Sequence, residues 1–128
     1  SQGKLLLAAM SDASAKAFLS GAGQLESFTP HTIVEQEQIL RELGQIRANG
    51  YAVENGEYKI GLRSVSAPVY DRCGVMSYAL SVVGLFRKVR SQEFEDAVAC
   101  VSATARQLSE AIGYRGYRMP LAGKGQEK

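Results

Sequence analysis

Tryptophan is absent from this chain, histidine occurs once, cysteine twice and proline three times. Each scarcity excludes something. Two cysteines without a C-x-x-C spacing and without a neighbouring histidine make no metal site. Cys73 and Cys100 provide no disulfide framework; a single bridge between them stays open, and reduced thiols in a cytoplasmic protein are the expectation. Excess charge is also missing. Fifteen Lys and Arg stand against 13 Asp and Glu, a net charge of +2, with both signs interspersed. That leaves no electrostatic footprint for nucleic acid or an anionic membrane. No apolar run approaches the roughly 18 to 20 residues of a membrane span. The opening SQGKLLLAAMSDAS has a short apolar stretch, but polar SDASAK follows where a signal-peptide cleavage site would stand, so it reads as an amphipathic helix. No G-x-x-x-x-G-K-[ST] occurs, so nucleotide hydrolysis is not expected.

What remains is a globular composition. Of 128 residues, 45% are hydrophobic and 22% charged, enough for one domain with its own core. A helix fragment is expected over Gly3 to Met10. Asp12 is placed to cap a second short helix, Ala13 to Leu19, ended by Gly21 and Gly23. Gln24 to Thr32 reads as a loop. Thr32 and Glu35 have capping-box spacing. The helix behind them runs to about Asn49 with a stripe of Ile39, Leu40, Leu43 and Ile46, and Gly50 stops it. Tyr51 to Val53 reads as a strand and Asn55-Gly56 as a hairpin turn. A second strand, Ile60 to Tyr70, contains Pro68, which lacks a ladder donor and predicts an edge or a bulge. Asp71 to Gly74 turns the chain into a third strand, Val75 to Val83. Ser91 caps a long helix with a stripe of Phe94, Ala97, Val98, Val101, Ala105, Leu108 and Ile112, stopped by Gly113. Tyr114 to Lys128 has no periodicity and reads as a tail. The fold class is α+β, with helices packed on one face of a small antiparallel sheet.

The third strand sorts its side chains by size. Val75, Ser77, Ala79, Ser81 and Val83 share one face; Met76, Tyr78, Leu80 and Val82 share the other. The large face wants a core. The small face leaves room and offers hydroxyls, as a small-molecule pocket requires. Small residues also fit beneath a packed helix, and spacing alone does not separate the two. The hydroxyl set Ser64, Ser66, Ser77 and Ser81 both donates and accepts hydrogen bonds, which suits a carboxylate ligand held with backbone amides. Glu54 and Glu57 flank the Asn55-Gly56 turn, either solvated or rimming the same pocket. His31, near Glu35 and Glu37, lacks the partners of an acid–base or metal site. Cys73 adjoins Arg72 but has no base to activate it.

The ordered runs Gly3-Lys4…Leu7-Ala8-Ala9, Phe28-Thr29-Pro30…Thr32-Ile33, Leu43…Ile46-Arg47…Gly50-Tyr51-Ala52, Gly61-Leu62-Arg63, Ala67-Pro68-Val69-Tyr70-Asp71, Ala79-Leu80-Ser81-Val82 and Ile112-Gly113-Tyr114 resemble the C-terminal effector-binding domain of IclR-type bacterial transcription regulators. The resemblance implies a GAF-like, profilin-like antiparallel sheet with the long C-terminal helix packed on it. It implies an effector-binding domain over residues 1–116, a flexible tail over 117–128, and a chain truncated at its N-terminal side. It implies a small organic effector, a carboxylate or aromatic acid, and no cofactor. DNA is then bound only through a winged helix-turn-helix that this chain lacks, in a cytoplasmic homodimer or homotetramer. Matched position by position, the ligand site takes Glu54, Ser64, Ser81 and Val83, with the backbone of Gln2 and Gly3 beside Ser1. Two departures stand out. Val83 occupies a position usually held by a hydroxyl, and Gly56 one usually held by an acid. The alternative is a GAF-like enzyme working through a cysteine thiol.

Overall fold

A computed structural model describes residues 1–116. Three helices precede a hairpin-built sheet and a long helix follows it: α1 (Gln2–Ala8), α2 (Asp12–Ala22), α3 (Gln36–Asn49), β1 (Ala52–Asn55), β2 (Arg63–Tyr70), β3 (Met76–Gly84) and α4 (Gln92–Ile112). The sheet is antiparallel in the order β1-β2-β3. The expected tail, residues 117–128, lies outside the described residues.

The α+β class holds, but the helices cover both faces of the sheet instead of one. The period-two alternation of β2 explains why. Val65, Ala67 and Val69 point to one side and pack with Phe94, Val101 and Ala105 of α4. The opposite side carries Ser64 and Ser66, and Ala52 across the ladder joins Leu5, Ala15, Leu19, Ile39, Leu43 and Ile46 of α1 to α3. Every residue of β2 from Ser64 to Val69 is buried, as expected for a strand covered twice.

Several local expectations are revised. Glu35, not Thr32, is the N-cap of α3, and it makes no side-chain cap bond. Thr32 Oγ1 instead accepts the Phe28 and Thr29 N–H groups and donates to the Glu57 carbonyl, closing the preceding loop. Ser11 caps α2 in place of Asp12; its Oγ accepts the Ser14 N–H at 3.2 Å. Gly50, at φ +81°, sends its N–H to Ile46 O at 2.8 Å, and Ser91 caps α4, both as expected. The β1–β2 connection is a loop from 56 to 62, wider than a two-residue hairpin. The Glu54 carboxylate fixes it by accepting the N–H groups of Glu57 and Tyr58, both at 3.1 Å. Pro68 lies on the central strand, but β1 pairs only as far as Ser66, so Pro68 sits where β2 is locally an edge. A bulge follows between Val69 and Tyr70.

That bulge leaves Ser77 unpaired and changes the face of Met76, which packs with Ala79 rather than with Tyr78 and Leu80. The large face of β3 is only partly covered: Leu80 packs on the α4 side, while Tyr78 is 66% exposed. The end of α4 explains this. Its stripe turns at Ser109, which is fully buried, so Leu108 and Ile112 remain exposed. Ser109 Oγ donates to Ala105 O at 2.8 Å and accepts the Tyr70 N–H at 2.9 Å. Tyr114, read from sequence as part of the tail, belongs to the fold, with its ring 5.0 Å from that of Tyr70.

Candidate functional site

Across the ladder Ser64 faces Glu54 on one side and Val83 on the other, and Ser66 faces Ser81. The face therefore gathers five of the sequence-expected residues, Glu54, Ser64, Ser66, Ser81 and Val83. The start of α1 lies over them. Ser1 Oγ is 2.8 Å from Ser64 Oγ and 2.6 Å from Ser66 Oγ. Ser66 Oγ is 2.5 Å from Ser81 Oγ, and Ser64 Oγ donates to Glu54 Oε1 at 3.1 Å. Four hydroxyls from three elements thus form one chain that ends on a carboxylate. Ser64 and Ser66 are buried, Ser1, Ser81 and Glu54 are half-buried, and Val83 is 61% exposed. Gln2 and Gly3 are exposed beside Ser1, and a Cβ added at Gly3 would meet nothing within 4 Å. The outer end of the cluster, at Ser81 and Val83, is open.

Ser77 does not join the cluster. Displaced by the bulge, its hydroxyl donates to Asp71 Oδ2 at 3.2 Å. Glu57 also leads elsewhere. Its carboxylate takes Lys4 Nζ at 2.8 Å, and the same ammonium reaches Glu42 Oε1 at 2.8 Å. This ion triad ties α1 to α3 and to the β1–β2 loop, holding the first turn of α1 above the serines. Sequence reasoning did not find Lys4 or Glu42. A single cation directly before the apolar run Leu5-Leu6-Leu7-Ala8 was the available signal, because such a side chain needs an anionic partner where it is buried.

Asp71 organises the turn into β3. Its carboxyl is held below its ordinary pKa first by the Val75 N–H, against desolvation, and further by the Cys73 N–H, the Ser77 hydroxyl and the Arg72 charge. Cys73 in this turn and Cys100 on the outer side of α4 are both free and exposed. Neither lies on the serine face. His31 is exposed, its N–H donating to Thr29 Oγ1. Among the described residues no group of three or more His, Cys, Asp or Glu is placed to hold a metal ion. No helix among them is long and apolar enough to cross a membrane.

A cleft of about 450 Å³ lies at the other end of the same sheet face, lined by Leu5, Ala8, Ile46, Arg47, Pro68, Tyr70 and Met76 among others; the serine cluster does not line it. Its charged group is already engaged: Arg47 donates to Ala8 O, Met10 O and Asp12 Oδ1 at 2.6 to 2.9 Å. Volume favours this cleft; converging polar groups favour the serine cluster. Orientation of a small polar ligand depends on the latter.

Comparison with known proteins identifies the family and the fold. The family described as "Bacterial transcriptional regulator IclR C-terminal" matches residues 1–110. The HTH-type transcriptional regulator KdgR of Escherichia coli is 35% identical over 115 residues, 90% of this chain and 43% of that protein. The crystal structure of the KdgR C-terminal domain superposes with a TM-score of 0.78 at 34% identity, covering 88% of this chain and 68% of that one. The inducer-binding domain of the PobR transcription factor from Acinetobacter, described as a double mutant in complex with 3-hydroxybenzoic acid, gives a TM-score of 0.75 at 25% identity, covering 84% and 61%. The chain thus spans less than half the length of its curated relative. It belongs to the IclR family of bacterial transcriptional regulators, within the family's C-terminal domain.

Proposed function

We propose that this chain is the ligand-sensing part of a transcription regulator and that it holds a small organic acid at the serine cluster. The observation that carries the reading is the convergence of Ser1, Ser64, Ser66 and Ser81 with Glu54 at a half-covered point of the sheet. Such hydroxyls exchange partners with a ligand at little strain, and backbone amides at Gln2 and Gly3 lie beside them. The acid found with the PobR inducer-binding domain is a carboxylate, which supports the same effector class here. In the longer, cytoplasmic protein a winged helix-turn-helix would bind the operator, and two or four copies would assemble. The effector then acts by binding one arrangement of that assembly more tightly than the other. The cysteine-enzyme alternative has no support in the placement of Cys73 and Cys100.

Thermal-shift measurement of the purified chain against small aliphatic and aromatic acids tests the reading. A ligand that binds only the folded state raises Tm by mass action. The expected result is a saturable rise with at least one acid, lost in Ser64→Ala and Ser81→Ala but kept in Cys73→Ser and Cys100→Ser. A rise that survives both serine variants would move the site elsewhere.

A further inference from the structure

The hydroxyl cluster has a direction, and that direction restricts the ligand. Each serine hydroxyl has one proton to donate and lone pairs to accept with. The Glu54 carboxylate only accepts, so the Ser64 proton points to Glu54 Oε1. Ser64 then has no proton left for Ser1, and the 2.8 Å bond between them is donated by Ser1. Ser1 in turn has none for Ser66, so Ser66 donates the 2.6 Å bond to Ser1. By the same step Ser81 donates the 2.5 Å bond to Ser66. Protons therefore run one way, from Ser81 through Ser66, Ser1 and Ser64 to Glu54. Ser81 stands at the open end with its proton engaged inward and a lone pair facing out.

Resting on the binding reading above, we infer that the site selects a hydroxy acid, whose hydroxyl donates a hydrogen bond to Ser81 Oγ. A keto or unsubstituted acid offers no proton there. It either leaves Ser81 unsatisfied or turns the hydroxyls against the carboxylate. Glu54 acts as a positioning residue that sets this polarity from the far end of the chain. Its other oxygen is fixed by the N–H groups of Glu57 and Tyr58. In Glu54→Gln those two donors hold the amide oxygen, which leaves the amide NH2 facing Ser64. The NH2 donates, every hydroxyl turns, and Ser81 offers its proton outward.

Isothermal titration of the 128-residue chain with lactate, pyruvate, 3-hydroxybenzoate and benzoate tests this. One net hydrogen bond at a half-buried group is a preference of about fivefold. The native chain is expected to bind lactate over pyruvate and 3-hydroxybenzoate over benzoate by at least that ratio. Glu54→Gln is expected to reverse the lactate–pyruvate order. Ser66→Ala interrupts the chain without touching Glu54 and is expected to bring the members of each pair to equal affinity, whatever loss of affinity is common to all four acids. Equal binding within each pair, or a preference unchanged in both variants, overturns the proton order and leaves the binding site standing. Failure of all four acids to bind overturns the binding reading together with it.

Discussion

Replacing Lys4 with methionine removes the cation shared by Glu42 and Glu57 while keeping most of the unbranched side chain. Both N–O distances are 2.8 Å, and the lysine side chain is 13% exposed. Breaking a fully buried ion pair costs about 3 to 5 kcal/mol, because an uncompensated charge is left inside. Here the two carboxylates are 31% and 17% exposed, so water recovers part of that loss. After this discount the expected destabilisation is about 2 kcal/mol. For a domain of this size that corresponds to a fall in Tm of about 8 °C. Tryptophan is absent, so far-UV circular dichroism in urea is the suitable assay. A cycle with Glu57→Gln should return a coupling of about 1 kcal/mol. A loss below about 0.5 kcal/mol, the range of ordinary surface substitutions, would refute the assignment of the triad as the clamp on α1.

Other perturbations have separate readouts. Leu43→Ala empties a fully buried position in the α1–α3 core and should cost about 3 kcal/mol in urea denaturation. Ser109→Ala removes the acceptor of the Tyr70 N–H and should cost about 1 to 2 kcal/mol by the same measurement. The folded-state pKa of Asp71 is depressed, so its stabilisation is full above the unfolded-state value, about 3.9, and is lost as pH falls through the lower folded value. Thermal melts of the native chain and Asp71→Asn should therefore differ by a constant amount at neutral pH and converge only below about pH 4. A difference that persists unchanged into strong acid would contradict that sign.

Signals that reside in adjacent residues survived the passage from sequence to structure. Gly50 and Gly113 stop their helices with positive φ, Ser91 caps α4, and β3 keeps its expected alternation from Tyr78 onward, beyond the bulge. The cluster of Ser64, Ser66 and Ser81 followed from period two on adjoining strands. What failed depended on competition between partners. Thr32 and Glu35 have capping-box spacing, yet the Glu57 carbonyl and the Phe28 and Thr29 amides claim the threonine hydroxyl. Ser77 had the right parity, but one extra residue at the bulge redirected it to Asp71. Leu108 and Ile112 fit the helical stripe, but the buried line turns to Ser109 and leaves them exposed beside Tyr78 and Leu80. The Lys4 triad joins residues separated by 38 and 53 positions, a juxtaposition that no local pattern encodes.

The most direct test of the serine cluster as the ligand site is a titration of the ¹⁵N-labelled chain with 3-hydroxybenzoate, followed by amide NMR shifts. The account predicts saturable shifts centred on Gln2, Gly3, Ser64, Ser66 and Ser81. Shifts centred instead on Leu5, Ile46, Tyr70 and Met76 would place the ligand in the 450 Å³ cleft and contradict it.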